Sequence, residues 1–239
     1  MLKKTILPFI FIASFILVGI DFQNKSFAQD PHFTQFYANP LYLNPAFAGT
    51  GRCPRAIMNY RNQWPAISGT FVTYAASYDQ HIDAISGGIG ITALRDEAGE
   101  GTLTTTNVSG IYSYEQPINR HFSIRAGFQA TFFQKAIDWS KLTFGDMIDP
   151  RYGFIFNTKE VPGPNTKSGV DFSAGLLGFS RLYYFGFAAH HLTQPDEGLL
   201  GSSKLPRKFT GHAGALIPLK KDVSEGALST NILFKQQQN

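Results

Sequence analysis

The carboxylates of one glycine-rich run are the first candidates for chemistry in this sequence. Asp96, Glu97 and Glu100 lie close together beside two glycines. Carboxylate oxygens are the ligands that Ca²⁺ prefers, but this spacing does not fit the twelve-residue calcium loop of the EF-hand. We therefore predict an acidic, solvated external loop here and no metal site.

Zinc ligands are few and poorly spaced. The chain contains six histidines and one cysteine. His190 and His191 are adjacent, and neighbouring residues of a strand point to opposite faces of a sheet, so this pair is not expected to bind one ion. Cys53 cannot form an intrachain disulfide. We interpret it as a buried, inert thiol, with a free thiol or an intermolecular link as the alternatives.

Motifs for catalysis and for nucleotide binding are absent. The sequence lacks the Gly-x-Ser-x-Gly turn, the His-Glu-x-x-His motif, and the Walker and Gly-x-Gly-x-x-Gly phosphate loops. Gly87, Gly88 and Gly90 are instead predicted to let backbone approach a strand closely. We predict a protein with no catalytic residues, no metal and no cofactor; a membrane-embedded lipid hydrolase is a further hypothesis.

Alternation of apolar and polar residues is the main structural signal. From Phe122 to Phe132 every second residue is apolar, and the intervening residues are polar or small. This period of two, over a length that can cross a bilayer at a tilt, predicts a β-strand. Nine such segments are predicted, beginning near residues 56, 72, 88, 107, 121, 170, 183, 209 and 228.

The two faces of these predicted strands differ strongly. One face is aromatic and aliphatic, while the other carries Gly, Ser, Thr, Ala, Asn, Gln and Asp, which are small or polar for a soluble core. This is the pattern of a membrane barrel with an apolar outer wall and a polar lumen. No helical span is predicted after residue 28, because no later stretch approaches about 18 apolar residues. A soluble β-sandwich also alternates.

The lengths of the predicted links favour the membrane barrel. Short links follow strands two, four, six and eight, and longer links run from Asp96 to Leu103, Ala136 to Ser168 and Thr193 to Pro206. Outer-membrane barrels have tight periplasmic turns and long external loops. We therefore predict an all-β, antiparallel, up-and-down transmembrane barrel from residue 55 to residue 239. The aromatic link 136–168 is predicted to fold over the barrel mouth and contact an external protein.

The strand number predicts an incomplete barrel. Bacterial single-chain barrels normally have an even number of strands, and an open edge in lipid leaves costly unpaired backbone groups. The sequence is therefore expected to be C-terminally incomplete. A complete small barrel with one miscounted strand is the alternative.

Residues 1–28 are predicted to be a cleaved signal peptide. Lys3 and Lys4 precede an apolar run that is too short to span a membrane, and small residues precede a cleavage site after Ala28. The net charge of +4 falls to +2 without this leader. No nucleic-acid partner is predicted, because no Lys and Arg side chains form a basic stripe.

A proline-rich, aromatic segment follows the leader. Residues 29–54 are predicted to be a periplasmic N-terminal arm. The pairs Asn39-Pro40 and Asn44-Pro45 favour turns, and the apolar density is too high for a disordered leader. We expect the arm to be a periplasmic docking strip, a plug inside the barrel, or a segment that only packs against the wall.

Three residues near the first strand are candidate lumen or structural residues. Trp64, with Tyr60, is assigned to an interfacial aromatic belt. We interpret these residues as structural; the functional alternative places Arg61 in the lumen, paired with an acidic residue such as Asp79.

The arm closely resembles the mature N-terminus of the PorP/SprF family, outer-membrane proteins of the type IX secretion system. The resemblance is carried by Gln29 to Thr50, Tyr60-Arg61-Asn62-Gln63-Trp64-Pro65, Thr70 to Asp79, His190-His191-Leu192-Thr193-Gln194-Pro195 and Leu205-Pro206-Arg207-Lys208. It implies a non-enzymatic component of type IX secretion or the linked gliding machinery. A passive or substrate-specific pore is the alternative.

The partners that this resemblance implies are outer-membrane lipid, periplasmic secretion-system components and a secreted surface protein. The protein is expected to couple the periplasmic machinery to the outer membrane or to hold the surface protein at the cell exterior. The resemblance also favours partner binding by the arm, or a role in organising the periplasmic end of the barrel. The candidate partner-binding residues are Phe33, Phe36, Tyr37, Asn39, Pro40, Asn44, Pro45 and Phe47.

Overall fold

One nine-stranded sheet dominates the computed structural model, which describes residues 30–66, 69–199, 201–219 and 227–237. The predicted signal peptide lies outside these residues. The strands of the sheet are β1 (Arg55–Gln63), β2 (Phe71–Ile82), β3 (Gly87–Ala98), β4 (Leu103–Pro117), β5 (Phe122–Ile137), β8 (Thr166–Ser180), β9 (Tyr183–His190), β10 (Lys208–Pro218) and β11 (Ala227–Gln237). A small hairpin of β6 (Ile148–Asp149) and β7 (Gly153–Phe154) interrupts the link between β5 and β8.

The sheet is a simple meander in which each strand pairs antiparallel with its neighbour in the chain, apart from the separate hairpin. The all-β, up-and-down fold and its nine strands are confirmed. β1 and β11 are the two edges, so the described strands form a half-barrel that is not closed. No helix in the described parts of the chain is long and apolar enough to cross a membrane.

The two faces of the sheet follow the predicted alternation. On the outer face, Met58, Phe128 and Phe132 are all more than half exposed. On the inner face, Ser113 and Thr131 are buried. An exposed apolar wall of this extent is typical of a surface that contacts another phase or partner, and with a polar interior it matches an outer-membrane barrel wall.

The two ends of the sheet carry links of different length. The short-link end has the links 83–86, 118–121 and 181–182, and the long-link end has the links 138–165 and 191–207. Short helical turns occur at Asp83–Ile85, Trp139–Lys141 and Gly145–Met147. The ion pairs Lys135–Glu197 and Lys167–Asp196 tie the link 191–207 to the strand ends beside it.

One predicted long link is wrong. β3 and β4 extend towards each other, so only residues 99–102 connect them. Asp96 pairs in register with Thr105, and Glu97 pairs with Thr104. Asp96 and Glu97 therefore lie on a strand and not in a loop, because the threonines of β4 supply a continuous β-forming partner, whereas Glu100 lies in the short link.

The N-terminal arm is built from three short helical turns: Phe36–Ala38, helix α1 (Pro40–Leu43) and Pro45–Phe47. Prolines begin the last two turns, where the missing N–H removes no helical hydrogen bond. Asn44 caps the third turn, since its side chain accepts a hydrogen bond from the Ala46 N–H at 2.8 Å. The two Asn-Pro pairs thus start turns as predicted.

Candidate functional site

The arm lies along the concave inner face of the sheet. Leu41, Asn44 and Ala46 are completely buried. Glycines in the facing strands make room for the arm, since a Cβ at Gly127 would overlap the backbone of Ala46, and one at Gly175 would overlap Asn44. Packing of the arm against the inside of the wall is common to two of the three predicted arrangements, the plug and the segment that only packs against the wall.

The arm runs the length of the sheet. Asp30 contacts the long-link end, whereas Gly49 packs against β2 and β3 near the short-link end. The arm was predicted to lie on the periplasmic side, where short turns are expected. Only its last residues lie at the short-link end.

Asn44 fixes the middle of the arm to three strands. Its Nδ2 lies 3.1 Å from the carbonyl oxygen of Leu176, 3.3 Å from that of Phe187, and 3.0 Å from Nε2 of His212. Its Oδ1 meanwhile accepts the hydrogen bond from Ala46. A single amide group therefore both caps a turn of the arm and binds the strands of the wall. A side chain with only donors or only acceptors cannot make both kinds of contact.

Asp79 holds the other end of the arm. Its carboxylate accepts hydrogen bonds from Nε and Nη2 of Arg55 at 2.9 and 3.0 Å, and from the Gly49 N–H at 2.8 Å. The alternative in which Asp79 pairs with Arg61 is wrong, because Asp79 pairs with Arg55. Arg61 faces inward opposite Thr73, six residues further along β1, and hydrogen-bonds Gln63.

Arg125 is a buried cation that sequence reasoning missed. It lies on the inner face of β5, donates to the carbonyl oxygen of Ala48 at 2.7 Å and pairs with Glu115. Ser113 donates to the same carbonyl at 2.6 Å. The sequence did contain a signal for a buried cation here, because Arg125 occupies an inward position in a row of small and polar residues. A cavity of about 780 Å³ opens beside it at the short-link end, lined in part by Arg52.

A cluster of charged side chains surrounds the start of the arm. His191 lies between two carboxylates, with Nε2 2.9 Å from Asp30 and Nδ1 2.7 Å from Asp171. Lys208 pairs with the same oxygen of Asp30. Thr193 donates to Asp171 at 2.6 Å. Both ring nitrogens of His191 therefore face acceptors, which favours the doubly protonated imidazolium.

The cluster holds its own groups in the charged state. Burial alone would lower the pKa of His191, but Asp30 and Asp171 raise it to about 9. Burial alone would raise the pKa of Asp30, but Lys208 and His191 hold it well below its usual value. At neutral pH the contacts of Asp30 are therefore ion pairs.

The two adjacent histidines were predicted to point to opposite faces of the sheet. In the structure, they point to the same side. His190 ends β9, and its Nε2 lies 3.2 Å from the carbonyl oxygen of Leu43. His191 has left the strand with a φ of 58°, and its ring turns to Asp30 on the same side. The prediction assumed a continuous strand, but a left-handed residue ends its alternation.

The candidate partner-binding residues fall into two groups. Tyr37 is 56% exposed, and Phe33, Phe36 and Phe47 are half-buried. The ring of Phe47 stacks on His212. The fully buried members of the set are Asn39, Pro40, Asn44 and Pro45.

The remaining predicted residues are near β1. Trp64 is exposed and packs edge-on against Phe71 across the strand pair, while Tyr60 contacts Tyr74. The prediction that Cys53 is buried is wrong, because its side chain is exposed.

The cluster around Asp30 and His191 contains both acidic and basic side chains. No group of three or more His, Cys, Asp or Glu side chains within the described ranges is placed to hold a metal ion. The acidic and basic groups of the cluster pair with one another, which fixes the arm in place.

Comparison with known proteins places the chain in a wider context. The family described as "Type IX secretion system membrane protein PorP/SprF" matches residues 25–239. This range covers the arm and all nine strands of the sheet. No curated protein matches the chain.

Proposed function

Because this chain belongs to the PorP/SprF family of type IX secretion system membrane proteins, we propose that it acts in the outer membrane as a non-enzymatic scaffold. It couples periplasmic components of the secretion or gliding machinery to the outer membrane, and it holds a secreted surface protein at the cell exterior. It reaches this membrane after a signal peptide of residues 1–28 is removed.

The seated arm is the observation that carries the scaffold role. Asn44 and Ala46 occupy the inner face where a conduit would need water. Polar contacts at Asp79 and at Asp30 hold both ends of the arm. A sheet that is held in shape by contacts with its own N-terminal segment is suited to transmitting force or to presenting a binding surface to a partner.

The outer wall supports a position in lipid. Phe128, Phe132 and Phe187 are exposed on the convex face. Removing such rings from water is favourable, so this face favours an apolar environment. Outer-membrane lipid is therefore the partner proposed for this face.

The two ends suit different protein partners. In outer-membrane barrels the short turns face the periplasm, so the cavity beside Arg52 and Arg125 is the proposed face for secretion-system components. The long-link end presents exposed Tyr152, Phe154 and Phe156 around the small hairpin. Exposed aromatic clusters favour protein contacts, so this end is proposed to hold the surface protein.

Within the arm, partner binding is proposed for the aromatic residues that remain accessible. Tyr37 is exposed, and Phe33 and Phe36 are partly so. The buried Asn39, Pro40, Asn44 and Pro45 are proposed instead to organise the lumen.

The test is affinity purification of the tagged protein from its native outer membrane, followed by mass spectrometry. Periplasmic components and one large surface protein are expected to accompany the wild type. Reversing a charge at the short-link end with Arg52→Glu is expected to deplete only the periplasmic components. Replacing residues 148–156 with a Gly-Ser linker is expected to deplete only the surface protein. A lone protein after gentle extraction contradicts the scaffold role.

A pore is the second candidate, because the inner face is polar and retains cavities of about 220 and 70 Å³ beside the arm. Conductance in a planar bilayer separates the two functions. A steady open channel from the wild type supports the pore, and a channel that opens only when residues 30–50 are deleted supports the plugged scaffold.

A further inference from the structure

The arm consists of two parts that differ in burial. Residues 39–49, the seated segment, are buried except for half-buried Tyr42 and Phe47. Residues 30–38, the strap, contain no buried residue. The strap therefore gains much less than the seated segment from packing against the sheet.

The strap is attached mainly through its first residue. The carboxylate of Asp30 pairs with Lys208 and His191, and its N–H donates to Oε1 of Gln237 at 3.3 Å. The carbonyl oxygen of Pro31 accepts a hydrogen bond from the Tyr42 hydroxyl at 2.7 Å. Two weaker contacts follow: an edge-on packing of Phe33 against Tyr42 and an approach of His32 to Lys235 at 3.4 Å.

Empty space lies behind the start of the strap. Cavities of about 220 and 70 Å³ lie between its first two residues, Asp30 and Pro31, and the sheet. The opposite wall includes Asn107 and Thr131 on the inner face. Lifting the strap would therefore break few packing contacts and would open a polar inner surface.

We propose that residues 30–38 form a lid on the long-link end of the lumen, which the ion pairs of Asp30 with Lys208 and His191 latch shut. The lid opens while residues 39–49 stay seated. This conformational device goes beyond the scaffold role and does not depend on which partner the protein binds.

The charge state of the latch predicts when it is closed. His191 carries a pKa of about 9, above its usual value near 6.5, because Asp30 and Asp171 both favour its charged form. Opening the lid removes Asp30 but leaves Asp171 at 2.7 Å, so the pKa of His191 in the open state lies between these two values. The contribution of His191 to the closed state is therefore present below the open-state pKa and is lost as the pH rises through about 9. The charged and titratable groups around the latch are Asp171, Lys208, Tyr42, His190, His32, Lys235, Arg61 and Asp96.

Limited chymotrypsin cleavage of the purified full chain in detergent micelles tests the lid, because the strap contains the aromatic cleavage sites Phe33, Phe36 and Tyr37. Asp30→Asn removes the charge of the latch, and Asp83→Asn is the matched control because that carboxylate is exposed at the short-link end. In Asp30→Asn, cleavage within residues 31–38 is expected to accelerate about tenfold, while cleavage within residues 39–49 stays within about twofold of the wild type. The control is expected to match the wild type in both segments.

A second measurement uses the unaltered protein and so does not depend on whether a variant folds. Between pH 7 and pH 10, relative to the cleavage rate of a free peptide of residues 30–38 at each pH, cleavage within residues 31–38 is expected to accelerate near pH 9 while cleavage within residues 39–49 does not. The lid is ruled out if Asp30→Asn loosens both segments equally or neither, or if the strap is unaffected through pH 10.

Discussion

At the scale of the residue, the arm depends on groups that serve two elements at once. Asn44 is the clearest case, because one amide caps a turn of the arm and contacts carbonyl oxygens of two strands. The backbone groups that Asn44 contacts stay buried when its side chain is removed. Removing Asn44 is therefore more costly than removing a surface contact, because buried polar groups are left without a partner.

Replacing Asn44 with Ala is expected to destabilise the protein by about 3 kcal/mol, because it leaves the carbonyl groups of Leu176 and Phe187 and the N–H of Ala46 without this partner. Urea unfolding of the protein in lipid vesicles, followed by tryptophan fluorescence, measures the change. Thr34→Ala on the exposed strap is the control and is expected to have no measurable effect. Equal stabilities for the two variants would show that Asn44 does not hold the arm.

Close approach at Gly127 gives a second prediction. Gly127→Ala places a Cβ on the backbone of Ala46, so we expect a destabilisation of about 2 kcal/mol by overpacking. Faster hydrogen exchange of the Asn44 and Ala48 amides should accompany it. Gly110→Ala is the matched control on the neighbouring strand, since nothing lies within 4 Å of its Cβ. Similar behaviour of the two variants would contradict the packing of the arm against β5.

Some of these residue roles could be predicted from the sequence and others could not. The close backbone approach predicted for these glycines is confirmed at Gly87 and Gly88, where a Cβ would overlap the backbone of Ser113 and of Ala48, whereas the nearest atom to a Cβ at Gly90 is in the Leu41 side chain at 3.3 Å. The role of Asn44 could not be foreseen. Its partners lie more than a hundred residues away, and local patterns give no register between distant segments.

At the scale of the element, the register between strands decides which charges meet. Arg55 lies directly opposite Asp79 on β1 and β2, whereas Arg61 lies opposite Thr73. Sequence alternation placed Arg55 and Arg61 on the same face but gave no pairing offset. The same limitation explains the β3–β4 link, since alternation alone did not reveal that Asp96 and Glu97 continue the ladder.

Arg55→Met is expected to destabilise the protein by about 2 kcal/mol, because Asp79 is only 2% exposed and loses its charged partner. This magnitude is below that of a fully buried pair, since the Arg55 side chain is one-third exposed. Arg61→Met on the same strand and face is the control, and we expect a change of less than about 0.5 kcal/mol. Urea unfolding compares the two, and a larger effect at Arg61 would restore the pairing that the sequence suggested.

At the scale of the whole molecule, the two faces of the sheet differ in what covers them. The inner face is covered by a segment of the same chain, while the outer face carries exposed aromatic and aliphatic side chains. Composition and periodicity were sufficient to predict an apolar outer face and a polar inner face, because the alternation repeats along the strands. They were insufficient to choose among the three positions of the arm, which depend on contacts between distant parts of the chain.

Phe128→Arg is expected to reduce insertion of the protein into lipid, because a charge near the middle of a lipid-facing strand costs about 2–4 kcal/mol. Tyr152→Arg is the matched control, since Tyr152 is also exposed but lies in the link between β5 and β8. The measurement is the fraction of refolded protein that is protected from protease by vesicles. Equal protection of both variants would argue against lipid contact at Phe128.

The path of the arm also constrains the order in which the molecule assembles. The arm is made first, yet Asn44 bonds to Leu176, 132 residues later, and Asp30 pairs with Lys208, 178 residues later. Contacts of such high sequence separation form slowly. The arm therefore has no complete binding surface until β8, β9 and β10 have joined the sheet. Complete docking of the arm therefore requires a wall that already includes these three strands, and the contacts of the arm depend on the C-terminal half of the sheet.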